Sequence, residues 1–273
     1  MSGLGPLTVR ELKKWVRNPV FLLTGLIQPF FWLALFGSAI DISKFLGAGL
    51  PPGVSPSVIF GGASNYITFI LGGILVITSL FTAMFSGVNI IFDRRMGPMG
   101  RFLTSPIKRS SIVFSKILSA MVRILVQVVI LIAAAFIIPN GLVLNHGFSI
   151  VAVFVLVTTV ILVALIFSSV FSVIAVRLKD MNTIFGIVNL VNLPLLFMSY
   201  AMFPPDIMAT WLADAAKYNP VSWAAESIRT VIINGTVTAS QVSNVEWWMG
   251  SLAILAAGLV LLTYFVAEKE IRD

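Results

Sequence analysis

The chain has no cysteine and a single histidine, His146, and only 11% of its 273 residues are charged. Without cysteine there are no disulfides, thiolate metal sites or cysteine nucleophiles. A lone histidine in a short turn between apolar runs gives no metal site. The shortage of charge excludes an ordinary water-facing surface, which carries roughly 25% charged residues. What remains is apolar: 58% of residues are hydrophobic, and the mean hydropathy is +1.02. These values describe an all-α integral membrane protein, because a lipid-exposed segment must satisfy its own backbone hydrogen bonds.

Six runs approach the 20 or so apolar residues that a spanning helix needs. They extend from Val20 to Ile40, Tyr66 to Phe92, Ile117 to Ile138, Phe148 to Val176, Ile184 to Phe203 and Trp247 to Ala267. The stretch "PNGLVLNHG" breaks the long uncharged region around it into a hairpin. The first run is longer than the core of a secretory signal and follows about twenty residues with helix signals of their own, so it reads as a retained span. Only Lys44, Lys217 and Arg229 fall on the side opposite the termini, and the other Lys and Arg share the termini's side. By the positive-inside rule both termini are cytoplasmic. The excess of basic residues is thus a topology and lipid-surface signal, and a nucleic-acid partner has no support.

The spans also lack Asp, Glu and His, the groups that ion-coupled transport needs inside a membrane. Arg123 is their one charge and reads as snorkelling to the cytoplasmic end. Intramembrane proteolysis has no H-E-x-x-H motif, no aspartate pair and no serine with a histidine to draw on. No Lys is followed by Ser or Thr, so there is no P-loop. Energy for uphill transport must therefore come from another subunit.

The segments outside the spans carry more information. In "LTVRELKKWVRNP", Thr8 and Glu11 have capping-box spacing, and Leu7 and Leu12 are placed as a staple. At about 100° per residue, Val9, Leu12, Trp15 and Val16 oppose Arg10, Lys13, Lys14 and Arg17. This predicts an amphipathic helix, residues 1–19, lying in the membrane interface. The loop at 93–116 is long enough for its own short helix, begun at Pro98 and ended by Pro106, with Ser110 or Ser111 capping the third span. Phe102 and Leu103 are apolar residues on a solvated helix, which points to a docking partner. Beyond the fifth span, Asn219 can cap and Pro220 can start a short helix, while Glu226 and Arg229 have the spacing of a surface pair.

These segments resemble the permeases of ABC-2 type transporters. In "FDRRMGPMGRFLTSPIKRSSIVFSKIL", Asp93 and Arg94 match an acidic-basic pair, Gly97 a glycine, Arg101, Phe102 and Leu103 an Arg-apolar-apolar element, Ser105 and Pro106 a Ser-Pro step, and Lys116 a lysine. Arg95 departs from the pattern where an acid is common, and so do Pro98 and Gly100 in place of better helix formers. In the region from the fifth span, Pro204, Trp211, Asn219, Pro220, Trp223, Glu226 and Arg229 occupy the family's positions. The early "IQPFFWLALFGSAI" is similar to the first span of the drug-exporting branch.

The resemblance implies one transmembrane domain over 1–273, with six spans, a cytoplasmic coupling helix between spans two and three, and short outer re-entrant helices within 204–246. It implies a prokaryotic plasma-membrane exporter with a second permease copy or homologue and membrane lipid as partners. ATP would be bound by a separate cytoplasmic ABC ATPase, and this chain would carry no cofactor and no catalytic site. Arg94, Arg95, Gly97, Arg101, Phe102, Leu103 and Pro106, with Arg17 and Arg177, are the expected ATPase contacts. Trp211, Asn219, Pro220, Trp223, Glu226 and Arg229 belong to the outer helices. An amphiphilic drug-like or lipid-like cargo is expected from the family branch, with Met84, Phe85, Phe197, Met198 and Tyr200 as possible apolar lining. An uncoupled channel or facilitator, or an exporter of a glycan or ion, remains an alternative.

Overall fold

The computed structural model describes residues 3–39, 60–95, 107–138, 141–144, 147–178 and 180–270. Among them are nine α-helices and no strand: α1 (Leu4–Val16), α2 (Pro19–Ala39), α3 (Tyr66–Arg95), α4 (Arg109–Ile137), α5 (Ile150–Arg177), α6 (Met181–Phe197), α7 (Thr210–Ala216), α8 (Pro220–Asn234) and α9 (Val242–Glu270). A single 3₁₀ turn, Pro205–Ile207, precedes α7. Helices α3, α4, α5 and α9 are long and apolar enough to cross a membrane, and α2 and α6 contribute shorter apolar helices. The chain is an all-α membrane protein.

Helix α3 is the central post, packed against α5, α4, α8 and α2, while α9 lies on α5 and α1 on α4. Two glycines let neighbours reach its backbone. A β-carbon on Gly73 would overlap the carbonyl of Ala201, and one on Gly87 would stand 2.6 Å from the backbone of Phe171 in α5. Lipid gives helices no hydrophobic reason to associate, so close approach of this kind, with its dispersion contacts, supplies the attraction. The outward faces stay apolar, as Leu190 and Leu193 on α6 and Ile254, Leu261 and Phe265 on α9 show.

Several boundaries differ from those expected. Helix α3 runs on through Arg95, and α4 begins at Arg109 rather than Ile117, so Lys116 sits two turns inside a helix. Charge did not end these helices because the charges are met by other helices. Neither Ser110 nor Ser111 caps α4. The N-cap is Lys108, without a side-chain bond, and Glu268 of α9 instead accepts from the Ser110 amide at 3.3 Å. Helix α6 stops at Phe197, where the turn through Tyr200 to Met202 takes over.

Helix α1 begins at Leu4, so Thr8 is not its cap. The Thr8 hydroxyl donates to the Leu4 carbonyl at 2.8 Å, and no capping box forms. Its buried face is Thr8, Glu11 and Trp15, whereas Val9 and Val16 are 49% and 63% exposed. The helix thus has three sides: one packed on protein, one basic, and a valine edge between them.

The largest correction concerns α8. It is no surface helix: Val221, Ala224, Ala225, Ile228, Val231 and Ile232 are fully buried among α3, α5 and α9. Asn219 caps it, accepting from the Val221 amide at 2.9 Å with Pro220 in the first turn, and Gly235 ends it in the left-handed region at φ 68°.

Candidate functional site

At the basic end, three helices meet on one ammonium. Lys116 of α4 is 2% exposed and bonds the Asp93 carboxylate of α3, while its Nζ lies 2.9 Å from the Glu11 carboxylate of α1. Lys14 adds a peripheral contact to Asp93 at 4.0 Å. Two buried carboxylates therefore share one buried cation, a combination that is stable only while the pairing is complete. The effect is to fasten α1 to both helices that lead into and out of the 96–106 segment.

The other helix ends at this face are tied as well. Arg94 donates to the carbonyl of Val176, near the C-terminus of α5, at 2.7 Å, a favourable place for a cation. Arg177 stands 3.7 Å from Glu270 of α9. Arg17 is exposed and, with Arg10, Lys13 and Lys14, lines an open basic groove along α1. Arg95 is the last residue of α3. Gly97, Arg101, Phe102, Leu103 and Pro106, and with them the expected coupling helix, lie outside the described residues, as does His146. Of the expected contact set, then, Arg17, Arg94 and Arg177 are seen at one face. The ties made by Glu11 and Lys116 were not read from the sequence, although the opposite charges of Asp93 and Lys116 at adjoining span ends were a usable signal.

At the opposite end Arg229 is the hub. The expected surface pair with Glu226 does form, but not on the surface. Arg229 is 3% exposed, bonded to Glu226, and lies over the Phe69 ring at 3.7 Å. Its Nε donates to the Phe69 carbonyl at 3.1 Å, and its Nη2 to Tyr200 and Ala201 carbonyls at 2.9 and 3.4 Å. A planar five-donor group can serve several carbonyls at once, as a lysine cannot. Asn219 assists, its Nδ2 donating to the Leu195 and Met198 carbonyls at 2.9 and 2.6 Å. Together they close the turn after α6 onto α3. Trp223 donates to the Lys217 carbonyl and stacks near Trp247, while Trp211 stays 68% exposed. The hydrogen bond from Lys217 to Asp214 raises the Lys217 ammonium above its usual pKa.

Between these ends lies a cavity of about 310 Å³, walled by α1, α2, α3 and α4. Trp15, Phe81, Phe85 and Pro29 give it apolar surface, and Gln28, Asn89, Arg123 and Gln127 give it polar surface. It is open where Gln28 and Phe85 are exposed. Gln28, Pro29 and Phe81 also border a smaller apolar pocket reaching Leu196 and Met202. Phe85 therefore borders a cavity, as the lining expectation allowed, whereas Met84 is buried and accepts a bond from Asn192 at 2.9 Å.

Long apolar helices around a partly polar cavity define a multi-pass helical membrane protein. Residues 4–233 match the family model of the ABC-2 type transporter. The putative transport permease ycf38 of Porphyra purpurea is 33% identical over 92% of this chain and 81% of its own. The daunorubicin resistance ABC transporter permease protein DrrB1 of Streptomyces coeruleorubidus is 28% identical over 92% and 79%. The probable doxorubicin resistance ABC transporter permease protein DrrC of Mycobacterium tuberculosis is 19% identical over 93% and 85%. The chain belongs to the ABC-2 type transporter family and is a transport permease, a membrane subunit of the kind that lacks an ATPase site of its own and works with an ATP-binding partner.

Proposed function

We propose that this permease is the transmembrane subunit of an ATP-driven exporter in a prokaryotic plasma membrane, with both termini cytoplasmic and a second permease copy or homologue completing the path. Its cargo is an amphiphilic, drug-like or lipid-like molecule. The resistance permeases among its relatives support the cargo class, and the distribution of Lys and Arg supports the orientation.

One observation carries the coupling. Lys116 holds α1, α3 and α4 together at the mouth of the 96–106 segment. A partner that pushes on that segment moves three helices at once, and all three, α1, α3 and α4, wall the cavity. The ATPase supplies the push through Arg94, Arg95, Gly97, Arg101, Phe102, Leu103 and Pro106, flanked by Arg17 and Arg177.

The test is copurification with the ATPase encoded beside the gene, followed by transport in vesicles. Phe102→Glu with Arg101→Glu abolishes association and transport, because two acids replace the apolar and basic contacts. Full association with full transport in that double variant defeats the proposal.

A further inference from the structure

The polar wall of the cavity is unbalanced in its hydrogen-bonding groups. The Thr78 and Thr82 hydroxyls have both spent their protons, on the Ile74 carbonyl at 2.7 Å and on Gln127 Oε1 at 2.7 Å. With its oxygen engaged by Thr82, Gln127 presents its Nε2 amide at the cavity wall beside Gly25, 2.7 Å from where a β-carbon on that residue would stand. Arg123 uses Nε on the Ser119 carbonyl at 3.2 Å and only brushes the Ser119 hydroxyl with Nη2 at 3.5 Å. Among the described residues its remaining N–H donors have no acceptor and it has no carboxylate partner. The acid whose field reaches it, Glu11, is bound to Lys116. Among the described residues no Asp or Glu lines the cavity.

Arg123 lies seven residues beyond Lys116 in α4, or roughly 10 Å along the helix at 1.5 Å per residue, and shares its cavity with Trp15 of α1. A permanent cation lining that cavity, with uncommitted donors and aromatic neighbours, favours an anion there. Beyond the head position, the apolar pocket past Phe81 continues toward Leu196 and Met202.

We propose that the cavity binds an amphiphile with an anionic, phosphate-like head, which Arg123 and Gln127 receive, and an apolar tail laid between α2 and α3. The binding claim stands by itself, and its assignment as cargo rests on the exporter reading above.

The test uses the purified full chain without ATP or ATPase, titrated with dioctanoyl phosphatidic acid, dioctanoyl phosphatidylcholine and inorganic phosphate. Phosphatidic acid binds at least about tenfold more tightly than phosphatidylcholine, the scale of one charge-assisted hydrogen bond. Inorganic phosphate, without a tail, binds far more weakly than either lipid. Arg123→Gln removes the preference, Arg123→Lys retains most of it, and Lys13→Gln on the surface of α1 leaves it intact.

Equal affinity for the two lipids overturns the proposal, as does a preference that survives Arg123→Gln or vanishes in Lys13→Gln. Should Arg123→Gln not fold, a photoactivatable phosphatidic acid on the wild-type chain decides the matter. Labelling within Thr78–Asn89 supports the site, and labelling confined to Arg10–Arg17 overturns it. Failure here removes the ligand class and leaves the exporter reading intact, whereas loss of ATPase association removes that reading and leaves the binding result.

Discussion

Replacing Lys116 by Met is the most exacting perturbation of this fold. The methionine fills nearly the same volume, so the change is electrostatic: the Glu11 and Asp93 side chains, 10% and 4% exposed, lose their shared cation. Lys14 cannot substitute, because its side chain is 57% exposed and 4.0 Å from Asp93, a contact of the kind that contributes about 0–1 kcal/mol. Breaking a buried ion pair by removing one partner costs about 3–5 kcal/mol. At about 2 °C per kcal/mol for a chain of this size, the unfolding midpoint falls by about 6–10 °C. Tryptophan fluorescence in detergent suits the measurement, since there is no cysteine for a thiol dye. The neutral triple variant Glu11→Gln, Asp93→Asn, Lys116→Met recovers most of the loss, because no uncompensated charge remains. In a cycle of Glu11→Gln with Lys116→Gln, the two effects are strongly non-additive. A Lys116→Met midpoint within about 1 °C of wild type, or single effects that add to within about 0.5 kcal/mol, would refute the three-helix tie.

Other expectations follow from the same geometry. Glu11→Gln loosens α1, so trypsin cleaves at Arg10, Lys13, Lys14 or Arg17 many times faster, as mass spectrometry of the digest would read. Arg229→Lys keeps the charge but abandons carbonyls among Phe69, Tyr200 and Ala201, destabilising the protein by about 1–3 kcal/mol for each one left dry. A folded yield and midpoint equal to wild type would contradict this. Asn219→Asp retains the cap but loses both Nδ2 donations, whereas Asn219→Ser retains the cap with a shorter side chain; both lower the midpoint, which separates this residue from a simple cap worth about 1 kcal/mol. Gly87→Val drives two methyls into the Phe171 backbone and costs about 1–3 kcal/mol, while the same change at Gly258, where nothing lies within 4 Å, is nearly silent.

Sequence alone determined the class and much of the layout. Scarcity of charge and the length of the apolar runs required a helical membrane protein, because an unpaired backbone is too costly in lipid for any looser arrangement. Asn219 followed by Pro220 specified the start of α8, and the family was legible in short motifs read in order. Each of these signals is local, or repeats along one segment.

Only the tertiary structure decided which charges are buried and what they do. Thr8 and Glu11 have the spacing of a capping box, yet α1 starts a turn earlier at Leu4, so both lie inside the helix and Lys116 of α4 takes the Glu11 carboxylate. The pair Glu226 and Arg229 has the spacing of a surface bridge, yet Arg229 meets the carbonyl of Phe69, 160 residues away, and is thereby interior. Arg123 has the look of a snorkelling residue and instead faces a cavity built by four helices. Spacing along the chain fixes which side chains share a helix face, but the environment of a charge is set by the helices that arrive on that face from elsewhere in the chain.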